Sequence, residues 1–451
     1  MEINVPKIAK AGMAALFLLG GLAFLAPGDP SERHYPQRIP VTFWHTFAGE
    51  WQPIFEGMVD RFNASQTKYE VVPVSVPEDA CSMKFLLSAS GGDTPDLLMT
   101  WAPILGTWSD KRLIQPYDGI MTPAEKREFL ARTYPIVKRH STYAGKIMAL
   151  VDGLDLYAMY YRPDHLKEIG VDKAHLPKTL EELVAMGVKL DRYDAQHHLR
   201  RVGYLPKTFS NYVPVFGGKF NEGGRIVVDT PENLRAMEFI AENTKRLGYD
   251  NATRFASSLA ADAGPTMPLI AGNYSMMFDG EWRVKQVEQY SPGLPYLLAP
   301  IPPPKGGKAN ACMSSPNYLV IPTAAKQPQG AWEFAKFCVG FLHPEEGGRN
   351  MGDMGWLPDD PVIAKSSSYL AYLKRYPQYK VFVDLMTSPN LEIPPQGPMQ
   401  NFVMDELSKA EDAVTRGSQT PAESLRLVQK HLTEEEARLR RLGQIRGGDR
   451  P

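Results

Sequence analysis

The chain has 451 residues, of which 43% are hydrophobic and 22% charged, and its formal net charge is -1. Because a domain usually has ~100–200 residues, this length allows two domains. The composition is typical of a globular protein and excludes disorder as the main state. The chain also lacks the basic excess that contacts to phosphates require, so we expect no nucleic-acid partner.

The cysteines of the chain are Cys81, Cys312 and Cys338. An odd number cannot pair completely within one chain, and no two of them have the CxxC spacing of a structural zinc site. A Cys312–Cys338 disulfide and three reduced, buried thiols both remain open. We predict no metal and no cofactor.

The N-terminus has the pattern of an export segment. Lys7 and Lys10 precede an apolar run at 11–26, which is slightly short for a membrane-spanning helix of ~20 residues. Phe24 departs from the small-x-small pattern of a cleavage site, and no cysteine follows the run that could carry a lipid. We therefore assign 1–38 to a signal or anchor segment with its linker. The rest is expected to be periplasmic or extracellular, with tethering by an uncleaved segment left open.

Strand and helix patterns alternate after this linker. Residues 39–45, 69–76 and 96–101 are rich in apolar and β-branched residues and predict strands. Between them, helices are predicted at 50–63, where apolar residues recur at three- and four-residue steps, and at 83–90. This order predicts parallel strands joined by right-handed crossovers.

The remainder of the chain predicts a second set of elements. We predict strands at 154–161, 275–278 and 317–322, helices at 164–169, 180–190, 231–247 and 331–341, and a helical tail after residue 400. Thr179 is expected to cap the helix at 180–190. The run PIPPPKGG at 300–307 cannot be regular structure and separates two halves. Two α/β units would leave a ligand cleft between them.

Several strings resemble a known family when they are taken in order. They are VTFWHTFAGE at 41–50, SGGDTPDLLMTW at 90–101, YAGKIMALVDGLDLYAMYYRPDHLKEIGV at 143–171, LPKTLEEL at 176–183, AGNYSMMFDGEW at 271–282, NYLVIPTAAKQPQGAWEFAKFCVG at 317–340, GWLP at 355–358 and TRGSQTPAESL at 415–425. The chain resembles the family-one extracellular solute-binding proteins, which include maltose-, other sugar- and glycerol-phosphate-binding proteins. The resemblance spans 39 to about 442.

The resemblance implies an α/β fold of the type II periplasmic-binding-protein class, with two lobes that close on a solute by hinge bending. The N-terminal lobe would contain 39–152 plus about 296–345, and the C-terminal lobe 153–295 plus about 346–451. The protein would be a monomer that captures a sugar or oligosaccharide and delivers it to the membrane permease of an ABC transporter.

A sugar site needs aromatic plates for the ring faces and carboxylate or amide acceptors for the hydroxyls. The candidate contacts are Trp44, His45, Thr46, Trp101, Asp155, Tyr212, Glu281, Trp282 and Trp356, with Glu50, Asp152 and Asn211 as weaker candidates. By resemblance, Trp101 and Asp155 match an aromatic residue and a carboxylate of the sugar site. A position in the core remains open for Trp44 and Trp101, a structural role for His45, and a turn role for Asp155.

Other functions are also conceivable. Asp152 and Asp155 could form a carboxylate pair for glycoside cleavage, but residues three apart on a strand point to opposite faces. No GxSxG, HExxH or GxxxxGK[ST] motif occurs, so we predict no enzyme, with a glycan-active enzyme or an anchored sensor module as the alternative. The alternative ligand is glycerol 3-phosphate or a glycerophosphodiester, with Arg283 as the phosphate partner.

Overall fold

The computed structural model describes residues 33–49, 51–101, 104–222, 225–259 and 264–442. The predicted export segment at 11–26 and the candidate Glu50 lie outside these ranges. The strands are β1 Ile39–His45, β2 Tyr69–Ser75, β3 Leu97–Thr100, β4 Ile114–Gln115, β5 Thr142–Tyr143, β6 Lys146–Ile147, β7 Leu150–Asp155, β8 Tyr157–Tyr161, β9 Arg192–Tyr193, β10 Leu199–Tyr204, β11 Asn221–Glu222, β12 Arg225–Ile226, β13 Tyr274–Gly280, β14 Leu297–Ala299, β15 Cys312–Met313, β16 Ser315–Pro322 and β17 Leu391–Glu392.

The α-helices surround these strands. They are α1 Gln52–Ser65, α2 Glu78–Gly91, α3 Leu105–Asp110, α4 Pro123–Arg132, α5 Pro135–Ser141, α6 Pro163–Lys167, α7 Leu180–Leu190, α8 Phe209–Tyr212, α9 Pro231–Leu247, α10 Tyr249–Ser258, α11 Pro268–Ala271, α12 Trp282–Tyr290, α13 Pro328–Val339, α14 Pro344–Met354, α15 Pro361–Ala364, α16 Ser367–Arg375, α17 Lys380–Leu385, α18 Gln400–Thr415 and α19 Pro421–Arg441.

The first sheet has the order β2-β1-β3-β16-β4, and β7 also pairs with β16. Strand β1 runs parallel to β2 and β3, which confirms the predicted parallel pairing of the first three strands. Strand β16, far along the chain, enters the sheet antiparallel to β3 and β7. Helices α1 and α13 cover one face, where the ring of Phe43 lies 5.5 Å from Phe55 and 5.2 Å from Phe334.

The second sheet has the order β14-β8-β13-β10-β9. Strands β10 and β13 are parallel, whereas β8 is antiparallel to both of its neighbours. Helices α18 and α19 pack on α9, so the C-terminal part of the chain joins this half of the molecule. The predicted Thr179 cap of α7 is confirmed, because its hydroxyl accepts the backbone N–H of Glu182 at 3.1 Å.

The chain passes from the first sheet to the second at a single residue. Asp155 ends β7 in the first sheet, Tyr157 begins β8 in the second, and only Leu156 separates them. The prediction of one continuous strand at 154–161 is therefore wrong. An unbroken apolar run carries no signal of a change in pairing partner, since both strands are buried.

The return connection follows β14. Residues 297–299 pair with β8 of the second sheet, so the chain returns to the first sheet after residue 299. As predicted, the run at 300–307 forms neither helix nor strand. The chain is back in the first sheet at Ser315.

Cys81, Cys312 and Cys338 are buried and unpaired, so the structure contains three free thiols rather than a Cys312–Cys338 disulfide. Within 33–442, no described helix combines the length and apolar character that a membrane crossing requires.

Candidate ligand-binding cleft

A cavity of about 220 Å³ lies between the two sheets. Its walls include Trp101, His140, Ser315 and Tyr318 from elements of the first half, and Tyr157, Asn211, Gln400 and Met404 from elements of the second. Ligand sites favour such interfaces between structural units. This cavity is therefore the candidate ligand-binding cleft, or cleft.

The carboxyl group of Asp155 adjoins the cleft. Asp155 pairs in register with Ser315, and the Ser315 hydroxyl donates to Asp155 Oδ2 at 3.1 Å. Asp155 is not among the residues that line the cleft, but its hydrogen-bond partner Ser315 and the nearby Tyr157 are. Burial raises the pKa of Asp155 to about 7, and the hydrogen bond from Ser315 limits the rise. Asp155 thus supplies a hydrogen-bonding carboxyl group where the chain changes sheets.

Glu281 lies behind Asp155 rather than in the cleft wall. Its side chain is buried, and Oε2 accepts the backbone N–H of Leu156 at 3.0 Å. Its other oxygen, Oε1, is buried and has no hydrogen-bond partner among the described residues. Burial, followed by the nearby Asp155, raises the pKa of Glu281 well above its usual range. Glu281 is therefore a buried residue that holds the backbone next to Asp155 and does not line the cleft.

Trp282 stands next to the cleft but behind Tyr157. The two rings are in edge-to-face contact, with centroids 5.7 Å apart and planes at 85°. Both side chains are half-buried, and Tyr157 is the one that lines the cleft. The Trp282 ring also covers Gly280, where a β-carbon would lie 1.8 Å from the ring. Trp282 thus fixes the aromatic wall that Tyr157 presents.

A second aromatic wall comes from the first half of the molecule. Trp101 is half-buried, lines the cleft and packs on Phe47 at 6.1 Å between ring centroids. Phe47 also contacts Trp356 at 5.2 Å. Trp356 is only 3% exposed and does not line the cleft, so it backs this wall instead of forming its surface.

Three predicted contact residues lie in the core. Trp44 is buried with the Lys84 ammonium 4.6 Å from its ring centre, on the side of helix α2. His45 stacks on Phe43 and Phe55 at 5.5 and 5.4 Å, and burial lowers its pKa to about 4. Tyr212 is fully buried and its hydroxyl lies 2.6 Å from that of Tyr204. None of the three lines the cleft, although Asn211 beside Tyr212 does.

The remaining candidates, Thr46, Asp152 and Arg283, do not line the cleft either. Thr46 is buried, and its hydroxyl has no partner among the described residues. Asp152 is fully buried, unlike Asp155, which agrees with the prediction that the two point to opposite faces. Arg283 is buried and forms an ion pair with Asp279 at 3.0 Å, away from the cleft wall.

The sequence analysis missed several cleft residues. Tyr157 lies two positions after Asp155, so period-two spacing from that carboxylate is a signal that points to it. Ser315, Gln400 and Met404 reach the cleft from distant parts of the chain. No local pattern identifies them, because their positions depend on how the two halves pack together.

A more charged groove of about 510 Å³ lies among helices α1, α12, α14 and α16. Its basic residues are Arg61, Lys285, Arg349 and Arg375. They are paired with acidic neighbours, for example Arg61 with Glu346 and Arg375 with Glu288, both at 2.8 Å. These cations are therefore engaged within the protein.

Residues 48–340 match the sequence model of the family described as bacterial extracellular solute-binding protein. This chain belongs to that family. A relative from Deinococcus radiodurans, described as a probable ABC transporter-binding protein, is 23% identical over 315 residues, which cover 66% of this chain and 71% of the relative. The sn-glycerol-3-phosphate-binding periplasmic protein UgpB of Yersinia pestis is 27% identical over 153 residues, 33% of this chain and 35% of that protein.

Solved structures share the fold. CpMnBP1 with mannotriose bound is 20% identical in sequence to this chain, and the two structures superpose with a TM-score of 0.77. The superposition covers 88% of this chain and 100% of that chain. The cyclic α-maltosyl-1,6-maltose binding protein of Arthrobacter globiformis is 19% identical, with a TM-score of 0.70 over 88% of this chain and 98% of that chain. The predicted two-lobed, type II periplasmic-binding-protein fold is confirmed.

Proposed function

We propose that this protein is the extracytoplasmic solute-binding component of an ABC transporter, and that it captures a neutral sugar or oligosaccharide in the cleft. The observation that carries this proposal is the composition of the cleft wall. Trp101 lines the cleft from the first half of the molecule and Tyr157 from the second, and Ser315, Asn211 and Gln400 add hydroxyl and amide groups to its wall. Aromatic faces stack on sugar rings, and polar side chains bond their hydroxyls.

The cleft favours a neutral solute over a phosphate ester. No Lys or Arg is found among the described residues that line it. A buried phosphate requires cations or free backbone N–H groups as partners. Arg283, the sequence-based candidate for that role, is paired with Asp279. Glycerol 3-phosphate remains the second candidate solute because of the partial match to UgpB.

The proposed function also assigns a role to the two lobes and to the N-terminal segment. The N-terminal lobe carries the first sheet and the C-terminal lobe the second, with connections at Leu156 and after residue 299. Closure of the lobes would enclose the solute for delivery to the membrane permease. We propose that the segment before residue 39 directs export and that, if it is not removed, it tethers the protein to the membrane.

A ligand screen tests the function. Purified protein is heated with neutral di- and trisaccharides, including mannosides and glucosides, and with glycerol 3-phosphate. A solute at a hundredfold excess over its Kd stabilises the folded state by ~2.7 kcal/mol, which appears as a rise in Tm. We expect a rise with at least one neutral saccharide and none with glycerol 3-phosphate. A rise with glycerol 3-phosphate alone would replace the first candidate by the second.

The same samples test the absence of catalysis. The saccharide that binds is incubated with the protein and analysed by chromatography. We expect it to be recovered intact, because Asp152 is fully buried and does not line the cleft. New reducing ends would instead indicate a glycan-active enzyme.

A further inference from the structure

We propose that Gly106 and Gly397 form a contact on which the two lobes close, and that Gln396 and Gln400 make this closure depend on a bound solute. The proposal rests on the proposed function for its ligand, but closure itself can be measured without one. It deepens that function by assigning the two glutamines as solute contacts and the two glycines as positioning residues.

Helix α3, which carries Gly106, is fixed in the first half of the molecule. It contacts β4, the edge strand of the first sheet. Trp108 of α3 packs on Phe85 of α2, with ring centroids 4.3 Å apart. Gly106 itself is buried in the first turn of this helix. Helix α3 therefore moves with the N-terminal lobe.

The segment that carries Gly397 is fixed in the second half. Gln400 begins helix α18, which packs on α9 and α19. The backbone N–H of Gln400 donates to the carbonyl oxygen of Gly397 at 3.1 Å, so Gly397 is held at the start of this helix. The segment at 396–400 therefore moves with the C-terminal lobe.

The two glycines meet across this boundary with no room for a side chain. A β-carbon at Gly106 would lie 2.4 Å from the backbone nitrogen of Gly397 and 2.8 Å from its carbonyl oxygen. Gly106 is helical, so its own backbone conformation accepts other residues, and only the close approach requires glycine. The absence of a side chain at residue 106 thus allows the two lobes to touch here.

Gln396 and Gln400 flank Gly397 in sequence and both line the cleft. They are 7% and 2% exposed, and Nε2 of Gln396 and Oε1 of Gln400 are buried without a hydrogen-bond partner among the described residues. A buried donor and a buried acceptor without partners disfavour the arrangement that buries them. Hydroxyl groups both donate and accept, so a polyhydroxylated solute can supply both partners. Closure is therefore unfavourable for the empty protein and favourable around such a solute.

The first test is Gly106→Ala, with Gly57→Ala as its control. Gly57 is also helical and in the first half, but the nearest atom to an added β-carbon there is Arg61 Nη1 at 3.8 Å. Calorimetry with the saccharide found in the screen should show ~10-fold or greater loss of affinity for Gly106→Ala only. The Tm of both ligand-free variants should stay near that of wild type, because open lobes leave space for the methyl group.

Unchanged affinity of Gly106→Ala would overturn the closure contact. A large loss of ligand-free stability in that variant would overturn it as well, because it would show that the two glycines form a permanent core contact. A variant that does not fold counts as that second result.

A measurement without ligand separates this proposal from the proposed function. Spin labels are attached at Met83→Cys on α2 and Val188→Cys on α7, which are 62% and 50% exposed in the two lobes, whereas the native cysteines are buried. Gln396→Met combined with Gln400→Met should shift the ligand-free distance between the labels toward the separation in this structure, because apolar side chains need no partners. Addition of Gly106→Ala should reverse the shift.

Unchanged distances in the glutamine variant would overturn the proposal. If the distances shift as expected and wild type binds no saccharide, the failure lies with the sugar assignment and not with the closure contact.

Discussion

The ring of Trp356 lies so close to Gly153 that a β-carbon at residue 153 would be 2.8 Å from it. Gly153 also has φ +90°, a backbone conformation that other residues rarely adopt. This contact joins the strand that leads to Asp155 to the segment that backs the aromatic wall of the cleft.

Replacement of Gly153 should therefore lower the free energy of unfolding more than replacement of a glycine that has open space around it. Gly153→Ala combines backbone strain with a clash and should lower the free energy of unfolding by ~3 kcal/mol. Gly92→Ala is the control, because φ is +73° there and nothing lies within 4 Å of the added carbon. It should cost only ~1 kcal/mol of strain. Urea unfolding measures both variants, and equal losses would contradict the role of the Trp356 contact.

Substitution of Trp101 should mainly affect ligand binding, whereas substitution of Trp44 should mainly affect folding stability. Trp101→Ala removes a half-buried cleft wall and should weaken saccharide binding ~10-fold or more, with a small effect on unfolding. Trp44→Ala empties a core position and should lower the free energy of unfolding by ~3–5 kcal/mol. The folded fraction of that variant should bind normally. Calorimetry beside urea unfolding checks the pair, and the reverse pattern would place the ligand elsewhere.

His45 should make the fold sensitive to acid. Burial lowers its pKa in the folded state to about 4, whereas the unfolded value is 6.5. Between these values the unfolded chain binds more protons, so stability falls as the pH falls, by at most ~3 kcal/mol. His45→Phe fits the stack with Phe43 and Phe55 and does not titrate. Its stability relative to wild type should rise between pH 6.5 and pH 4, and a constant difference would refute the assignment.

Asp152 should lower the stability of the fold as the pH rises, which is the opposite of the pH dependence expected from His45. Both of its oxygens are buried and lack partners among the described residues, and burial raises its pKa to about 7. The folded state then binds the extra proton between the usual carboxyl range and pH 7, so wild-type stability falls as the pH rises through that window. Asp152→Asn should gain stability relative to wild type over the same window, by up to ~4 kcal/mol. Unfolding curves at pH 4, 5.5 and 7 would detect this, and parallel behaviour of the two proteins would argue against it.

The sequence predicted single helices and strands better than the way in which the strands pair in the sheets. Helix α9 was predicted at 231–247 and observed at Pro231–Leu247, because its apolar spacing and its cap are local signals. The change of sheet at Leu156 was missed, since burial on both sides leaves a continuous apolar run. Sequence patterns report burial, and they do not report which partner provides it.

The candidate site also contains residues that local patterns identify and residues that only the tertiary structure identifies. Trp101 lines the cleft, and the sequence points to it because it follows the end of a strand, at the edge of a sheet where ligands bind. His45 and Tyr212 also follow regular patterns, yet they face helices and strands of the core. Gln400 and Met404 reach the cleft only because α18 packs in the second half of the molecule. Such residues require the tertiary structure.

The single-residue connection at Leu156 has a mechanical consequence. Asp155 belongs to one sheet and Tyr157 to the other, so a rotation of the two halves about this connection would change the distance between the two side chains. Glu281 accepts the backbone N–H of Leu156, the residue that separates the two strands. A bound molecule that contacts both Asp155 and Tyr157 would therefore favour one angle between the sheets over the others.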